Sequence, residues 1–218
     1  MGDRLLITQS LLSAWGYQFT DFHNIYSTNE KAEQAAQKAR EDFLSSLRRE
    51  PIATSPAMQK GRDFEELVVL LAEGGDIAPD KPHWEKWVEG AAQIADRVRG
   101  GAFQVASSAP VTIGDIDFLL YGRLDALKNG TIYDIKFASR YEYGNYFESA
   151  QHPMYFAIVP EAHTFTYLVY REGLGVFDET YRRSDTRDIA DTISEFMEHL
   201  KKTDLFSVYE GHWKARSE

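Results

Sequence analysis

The chain has no cysteine, which excludes disulfides, thiolate zinc sites and cysteine-ligated iron–sulfur clusters. No apolar run approaches the length needed to cross a bilayer. The opening Met1-Gly-Asp-Arg-Leu-Leu-Ile lacks the apolar core and cleavage site of a signal peptide, so a cytoplasmic location without membrane contact is expected. Positive charge is not in surplus. A net charge of −10 at pH 7 argues against a protein that coats nucleic acid through bulk electrostatics. It leaves room for an enzyme that touches a few phosphates through a local basic strip, because carboxylates that hold a metal add to the negative total. Repeats, low-complexity segments and linkers are absent. His23, His83, His152, His163, His199 and His212 show no metal-ligand spacing and read as structural or surface residues. Trp15, Trp84, Trp87 and Trp213 read as core or interface.

What is present is an ordinary globular composition, 43% hydrophobic and 27% charged over 218 residues, expected to form a single domain over 1–218. Helical spacing of apolar residues predicts helices over 8–20, 29–49 (with Asn29 as N-cap), 56–73 and 82–98, so the first ~100 residues form a helical part. After Gly101 the texture changes to short segments rich in β-branched and aromatic residues. FQVASSA, VTIGDIDFLLYG, RLDAL and TIYDIKFA predict an antiparallel meander. A helix follows over 146–159, with Pro153 required near its first turn, then a strand over 164–172 and an amphipathic terminal helix over 185–202. The order implies an α/β (α+β) fold, a small central mixed sheet with an antiparallel meander flanked by helices.

Asn129-Gly130 is the strongest hairpin signal in the chain. Taken as the centre of a type I′ turn, it pairs Lys128 with Thr131, Leu127 with Ile132 and Ala126 with Tyr133. Continued outward, it sets Asp125 opposite Asp134 and Arg123 opposite Lys136. Side chains alternate along a strand, so Asp125, Arg123, Asp134 and Lys136 share one face. Leu124, Ala126, Tyr133, Ile135 and Phe137 share the other, apolar face. Opposed like charges destabilise a sheet unless something intervenes. A shared proton is one solution, and a hard divalent cation such as Mg²⁺ or Mn²⁺ is another. The same residues also allow an exposed charged face with Asp125–Lys136 and Arg123–Asp134 as diagonal salt bridges.

Gly122-Arg-Leu-Asp125 followed by Asp134-Ile-Lys136 resembles the G-x-x-D … D-x-K signature of the PD-(D/E)XK nucleases, in their RecB-type and lambda-type (phage-like) exonuclease branches. Three further elements fit the family's order. Gly61-Arg-Asp-Phe-Glu65 resembles its helical G-x-x-x-E element, Gln151-His-Pro-Met-Tyr155 its Q-x-x-x-Y motif, and Ile7-Thr-Gln-Ser10-Leu-Leu its opening serine-leucine helix. The resemblance spans about residues 7–170. RecB-type relatives often carry histidine where Glu65 stands, and many relatives carry Glu where Asp134 stands. The absence of cysteine rules out the family's iron–sulfur versions.

The resemblance implies a restriction-endonuclease-like core and a Mg²⁺-dependent deoxyribonuclease, with Mn²⁺ able to substitute. It implies an exonuclease of phage-type recombination or repair ahead of an endonuclease. Glu65, Asp125, Asp134 and the Ile135 carbonyl would bind metal, with Glu66 competing for the place of Glu65. Lys136 would position the attacking water and neutralise phosphate. Gln151 and Tyr155, one helical turn apart, would contact substrate or support Lys136. Arg123, Lys128 and Arg140 are candidate phosphate contacts. DNA is the implied partner, with a homo-oligomer and a single-strand-annealing or recombination protein as further partners. The alternative is a non-catalytic nucleic-acid-binding or assembly module that retains the fold.

Overall fold

A computed structural model describes residues 4–77 and 81–215. Among these the chain forms β1 (Leu5–Thr8), α1 (Gln9–Tyr17), α2 (Asn29–Leu47), α3 (Pro56–Ala72), α4 (Val88–Val98), β2 (Ala102–Ile113), β3 (Ile116–Lys128), β4 (Thr131–Phe137), α5 (Gln151–Ile158), β5 (Thr164–Arg171), β6 (Gly175–Arg182), α6 (Ile189–Lys202) and α7 (Phe206–His212). This is the mixed α/β class that the sequence implies. The strands pair in both senses, β1 with β3 and β4 with β5 in parallel, β3 with β4 and β5 with β6 antiparallel.

The meander expected after Gly101 is present as the consecutive neighbours β2, β3 and β4, with its strand boundaries moved. FQVASSA and the first residues after Pro110 form one strand, β2, which turns at Gly114 (φ 63°) into the single long strand β3. β4 is followed by a parallel neighbour, which requires a crossover, and α5 lies within that crossover. Further boundaries differ, the terminal helix expected from 185 beginning at Ile189 behind its Asp188 cap. Thr28, not Asn29, caps α2, its side chain accepting the Lys31 amide. The helix expected over 82–98 is a 3-10 turn at Pro82–Lys86 followed by α4. The helix expected from 146 begins at Gln151, which puts Pro153 in its first turn.

The described residues fall into two compact units, one drawn from Met1–Ala53, Ser108–Gly122 and Arg187–Glu218, the other from Thr54–Ser107 and Arg123–Thr186. In the first, β1 pairs with the early part of β3, Leu5 facing Phe118 and Ile7 facing Leu120. Rings from four helices interlock, with Trp15, Phe43 and Tyr209 all edge-on to Phe196. Two buried polar tips are satisfied by backbone, Tyr209 Oη donating to the Leu6 carbonyl at 2.9 Å and Trp213 Nε1 to that of Leu47 at 2.8 Å.

The second unit carries all the candidate site residues. Ser55 caps α3 by accepting the Met58 amide at 3.2 Å, with Pro56 in the first turn. The stripe Phe64, Leu67, Val68 on α3 and Ala91, Ile94, Ala95, Val98 on α4 packs with Ala126, Ile135, Leu168 and Tyr170 in one buried cluster. Each large apolar side chain there contributes about 1.5–3 kcal/mol of burial. Phe64 stacks on Tyr170 at 4.8 Å. α4 comes close enough that a Cβ on Gly90 would lie 2.3 Å from the Tyr170 ring. This packing fixes α3 on one side of β4 and so decides where Glu65 points.

Candidate active site

The Asn129-Gly130 turn has both φ angles positive, 50° and 73°, as a type I′ turn requires. Its register is the expected one, Lys128 with Thr131, Leu127 with Ile132 and Ala126 with Tyr133. The ladder runs from the turn to Ala126–Tyr133. In a continued ladder the Ile135 amide would donate to the main chain of β3. Instead it donates to Oδ2 of Asp125 at 2.8 Å. The face-to-face pairing of Asp125 with Asp134, and of Arg123 with Lys136, is thus replaced by an opening in the ladder filled by the Asp125 carboxylate.

Asp134 is buried, 3% exposed, so the hairpin does not present an exposed charged face. Neither diagonal salt bridge anticipated from the sequence forms in the expected way. Lys136 pairs along its own strand with Asp134, its Nζ 2.7 Å from Oδ2. Gln151, buried in the first turn of α5, donates from Nε2 to Oδ1 of the same carboxylate. Its partner is Asp134, not Lys136. Tyr155, one turn on, donates to the main-chain carbonyl of Arg123 at 2.9 Å. Burial and the nearby Asp134 and Asp125 charges push its hydroxyl up to about 12. The Ile135 side chain is in the core while its amide serves Asp125.

Glu65 and Glu66 face different surroundings. Glu66 is exposed and pairs with Lys81 at 2.6 Å. Glu65 is half-buried, and Gln104 Nε2 donates to its Oε1. Burial raises the Glu65 carboxyl above its usual range, and the negative charge of Asp134 raises it further, against the pull of Gln104, Arg123 and Lys136. Asp125 is raised well above the usual range by burial, then by Asp134 and Glu65, with Lys136 and the Ile135 amide opposing. Burial opposes charge on Lys136, but the Asp134 and Asp125 carboxylates outweigh it and hold the ammonium protonated well beyond neutral pH. Glu65 on α3 and Asp125 on β3 therefore both feel the Asp134 charge, with Lys136 opposing it at both and Arg123 opposing it at Glu65.

The remaining candidates lie further out. Arg123 and Arg140 are exposed, and Lys128 donates to the Arg97 carbonyl at 2.8 Å. Gln104 went unnoticed in the sequence, because nothing local ties residue 104 to residue 65. Its φ of 52° on a non-glycine residue is the structural mark of the position. A second residue that sequence reasoning missed is Glu179 on β6, a strand also absent from the expected order. It is 1% exposed and accepts from Tyr141 Oη (2.8 Å), the Gly144 amide (3.1 Å), the Tyr146 amide (3.0 Å) and Tyr181 Oη. That carboxylate ties down the segment between β4 and α5.

The donor chemistry of the acids suits a hard divalent cation, since Mg²⁺ takes one or two carboxylates and completes its shell with water. Among the described residues no group of three or more acidic or histidine side chains stands ready as a metal cage. Both oxygens of Asp134 are engaged, one by Gln151 and one by Lys136, so a cation here would have to displace the lysine from Oδ2. Among the described residues no helix is long and apolar enough to cross a membrane.

No protein-family model and no curated protein matches the chain. Among solved structures, the crystal structure of SSO0001 is similar with a TM-score of 0.52 at 11% identity, over 93% of this chain and 78% of that one. A crystal structure of a "Putative exonuclease" from Eubacterium rectale aligns with a TM-score of 0.47 at 14% identity, over 96% of this chain and 83% of that one. The first likeness concerns the fold alone.

Proposed function

We propose that this chain is a Mg²⁺-dependent deoxyribonuclease that hydrolyses phosphodiester bonds at Glu65, Asp125, Asp134 and Lys136. The observation that carries the reading is the buried Asp134 carboxylate held by Lys136 at 2.7 Å and by Gln151, with Asp125 taking the Ile135 amide between them, while burial first and neighbouring acids second raise Glu65 and Asp125. A structural purpose alone would not collect like charges in a half-buried place. The ordered motif set from Gly61 to Tyr155 supports the same reading from the sequence side.

Asp125 and Asp134 would hold the cation, with Glu65 as the helical acid and the Ile135 carbonyl as a further oxygen. Bound there, Mg²⁺ supplies Lewis-acid stabilisation of the phosphate and acidifies the attacking water. The protein's own part is positional. Gln151 fixes the Asp134 carboxylate, and Gln104 fixes Glu65. Lys136 would orient the water and neutralise charge on the phosphate. Its high affinity for the proton fits a charged partner of the phosphate, not a general base. An exonuclease acting in recombination or repair, in the cytoplasm and as a homo-oligomer or with an annealing partner, is the finer form of the proposal; it rests on the motif resemblance.

Incubation of linear duplex, circular and single-stranded DNA with Mg²⁺ tests this, wild type against Lys136→Ala. Cleavage by wild type and a loss of roughly 100-fold or more in the variant is expected. Equal cleavage by both, or none by wild type, contradicts the proposal. A preference for linear over circular substrates marks the exonuclease form.

A further inference from the structure

The segment between β4 and α5, residues 138–150, joins the strand of Asp134 and Lys136 to the helix of Gln151 and Tyr155. It is tied down in its middle. Glu179 receives the Tyr141 hydroxyl and the Gly144 and Tyr146 amides, and Gly144 sits at φ 92°, a conformation that favours glycine. The Tyr146 ring stacks on Tyr167 at 4.1 Å and 14°, and Tyr167 is the β5 residue paired with Asp134. Two rings of the same segment are nevertheless held outward, Tyr143 at 79% and Phe147 at 66% exposure, the two most exposed large apolar side chains among the described residues. Exposed rings on a segment that joins the strand and the helix of the candidate site offer apolar faces to a partner.

Charge narrows the partner. Between residues 139 and 150 the sequence carries Arg140 against Glu142 and Glu148, so this lip has no cationic surplus with which to grip phosphates. What it can offer nucleic acid is ring faces for bases. Bases paired inside a duplex cover their own faces, whereas unpaired bases do not. We infer that Tyr143 and Phe147 form a stacking lip that takes unpaired bases of a DNA strand next to the scissile phosphate. The inference rests on the reading of the substrate as DNA and adds which form of it this edge of the site engages.

The test is binding of a fluorescent single-stranded oligonucleotide and of a blunt duplex to the full chain, with chelator present so that nothing is cleaved. Tyr143→Leu and Phe147→Leu each weaken single-strand binding about tenfold. Tyr143→Trp retains it. The ratio of wild type to variant holds steady between low and high salt, because stacking releases no counterions. Blunt-duplex binding does not change. Unaltered single-strand affinity in both leucine variants overturns the inference. So does an equal loss for blunt duplex, or a wild-type self-association that the substitutions abolish, since the rings then serve a second copy of this chain. Lys136-dependent cleavage without any binding loss refutes the lip alone. A binding loss in a chain that cleaves nothing refutes the nuclease reading alone.

Discussion

Two places in the same unit bury carboxylates, and they do so in opposite ways. Glu179 is surrounded by donors, two tyrosine hydroxyls and two backbone amides, with no second acid among its hydrogen-bond partners. Glu65, Asp125 and Asp134 also have donors, Gln104, the Ile135 amide, Gln151 and Lys136, but Glu65 and Asp125 feel the charge of neighbouring acids as well. Hydrogen bonds to an ionised group contribute about 1.5–3 kcal/mol each, so the first arrangement stabilises the fold. The second lowers the stability of the metal-free protein, because burial and repulsion both disfavour ionised acids. A carboxylate ringed by donors alone marks a structural knot, and neighbouring acids that share a counter-charge are what the proposed cation site requires.

Substitutions that pull the two places apart should separate activity from stability. The largest effect belongs to Lys136→Ala, with DNA cleavage reduced by roughly 100-fold or more, about 3 kcal/mol in the barrier, and far-UV circular dichroism unchanged. Next is Glu179→Ala, which leaves four donors without their acceptor and lowers stability in urea unfolding by about 3 kcal/mol. A smaller effect follows from Gln151→Leu. Asp134 loses the donor that orients it, and activity or Mn²⁺ affinity falls by about 10- to 100-fold with little change in the unfolding midpoint. If Gln151→Leu instead costs stability and spares activity, the two places are not different in kind.

The smallest effect has the opposite sign. Asp125→Asn keeps an acceptor for the Ile135 amide but removes one of the repelling charges, so the metal-free variant should be more stable than wild type at neutral pH, by on the order of 1 kcal/mol. The pH dependence follows from the direction of the shifts. Glu65 and Asp125 bind a proton more tightly folded than unfolded. Wild-type stability attributable to them is therefore greatest below the ordinary carboxylate range, falls as pH rises through the raised folded values, and is flat above them. Asp125→Asn should flatten that decline, which melting curves at a series of pH values would reveal.

Much of the site was legible because its geometry is local. One Asn-Gly pair sets the hairpin register, and that register places Asp125, Asp134 and Lys136 within a few residues of a known turn. The α3 stripe of Phe64, Leu67 and Val68 likewise orients Glu65 without distant information. Legibility ended where alternation was assumed to continue past Ala126, since the Asp125 carboxylate takes the Ile135 amide and the ladder opens. It also failed for Gln104, Glu179 and β6. Glu65 lies 39 residues from Gln104, and Tyr141, Gly144 and Tyr146 lie 33 or more residues from Glu179, a range no local pattern encodes, whereas β6 is the hairpin neighbour of β5. The parallel pairing of β4 with β5 is of the same kind, a choice made by the crossover and not by either strand.

The central claim is that the three gathered acids form a site for a hard cation. Thermal melting of wild type and Asp125→Asn with and without Mn²⁺ tests it most directly. The account predicts that Mn²⁺ raises the wild-type midpoint by several degrees, while Asp125→Asn starts higher and barely responds. A wild-type midpoint indifferent to Mn²⁺, or an equal rise in both proteins, would contradict it.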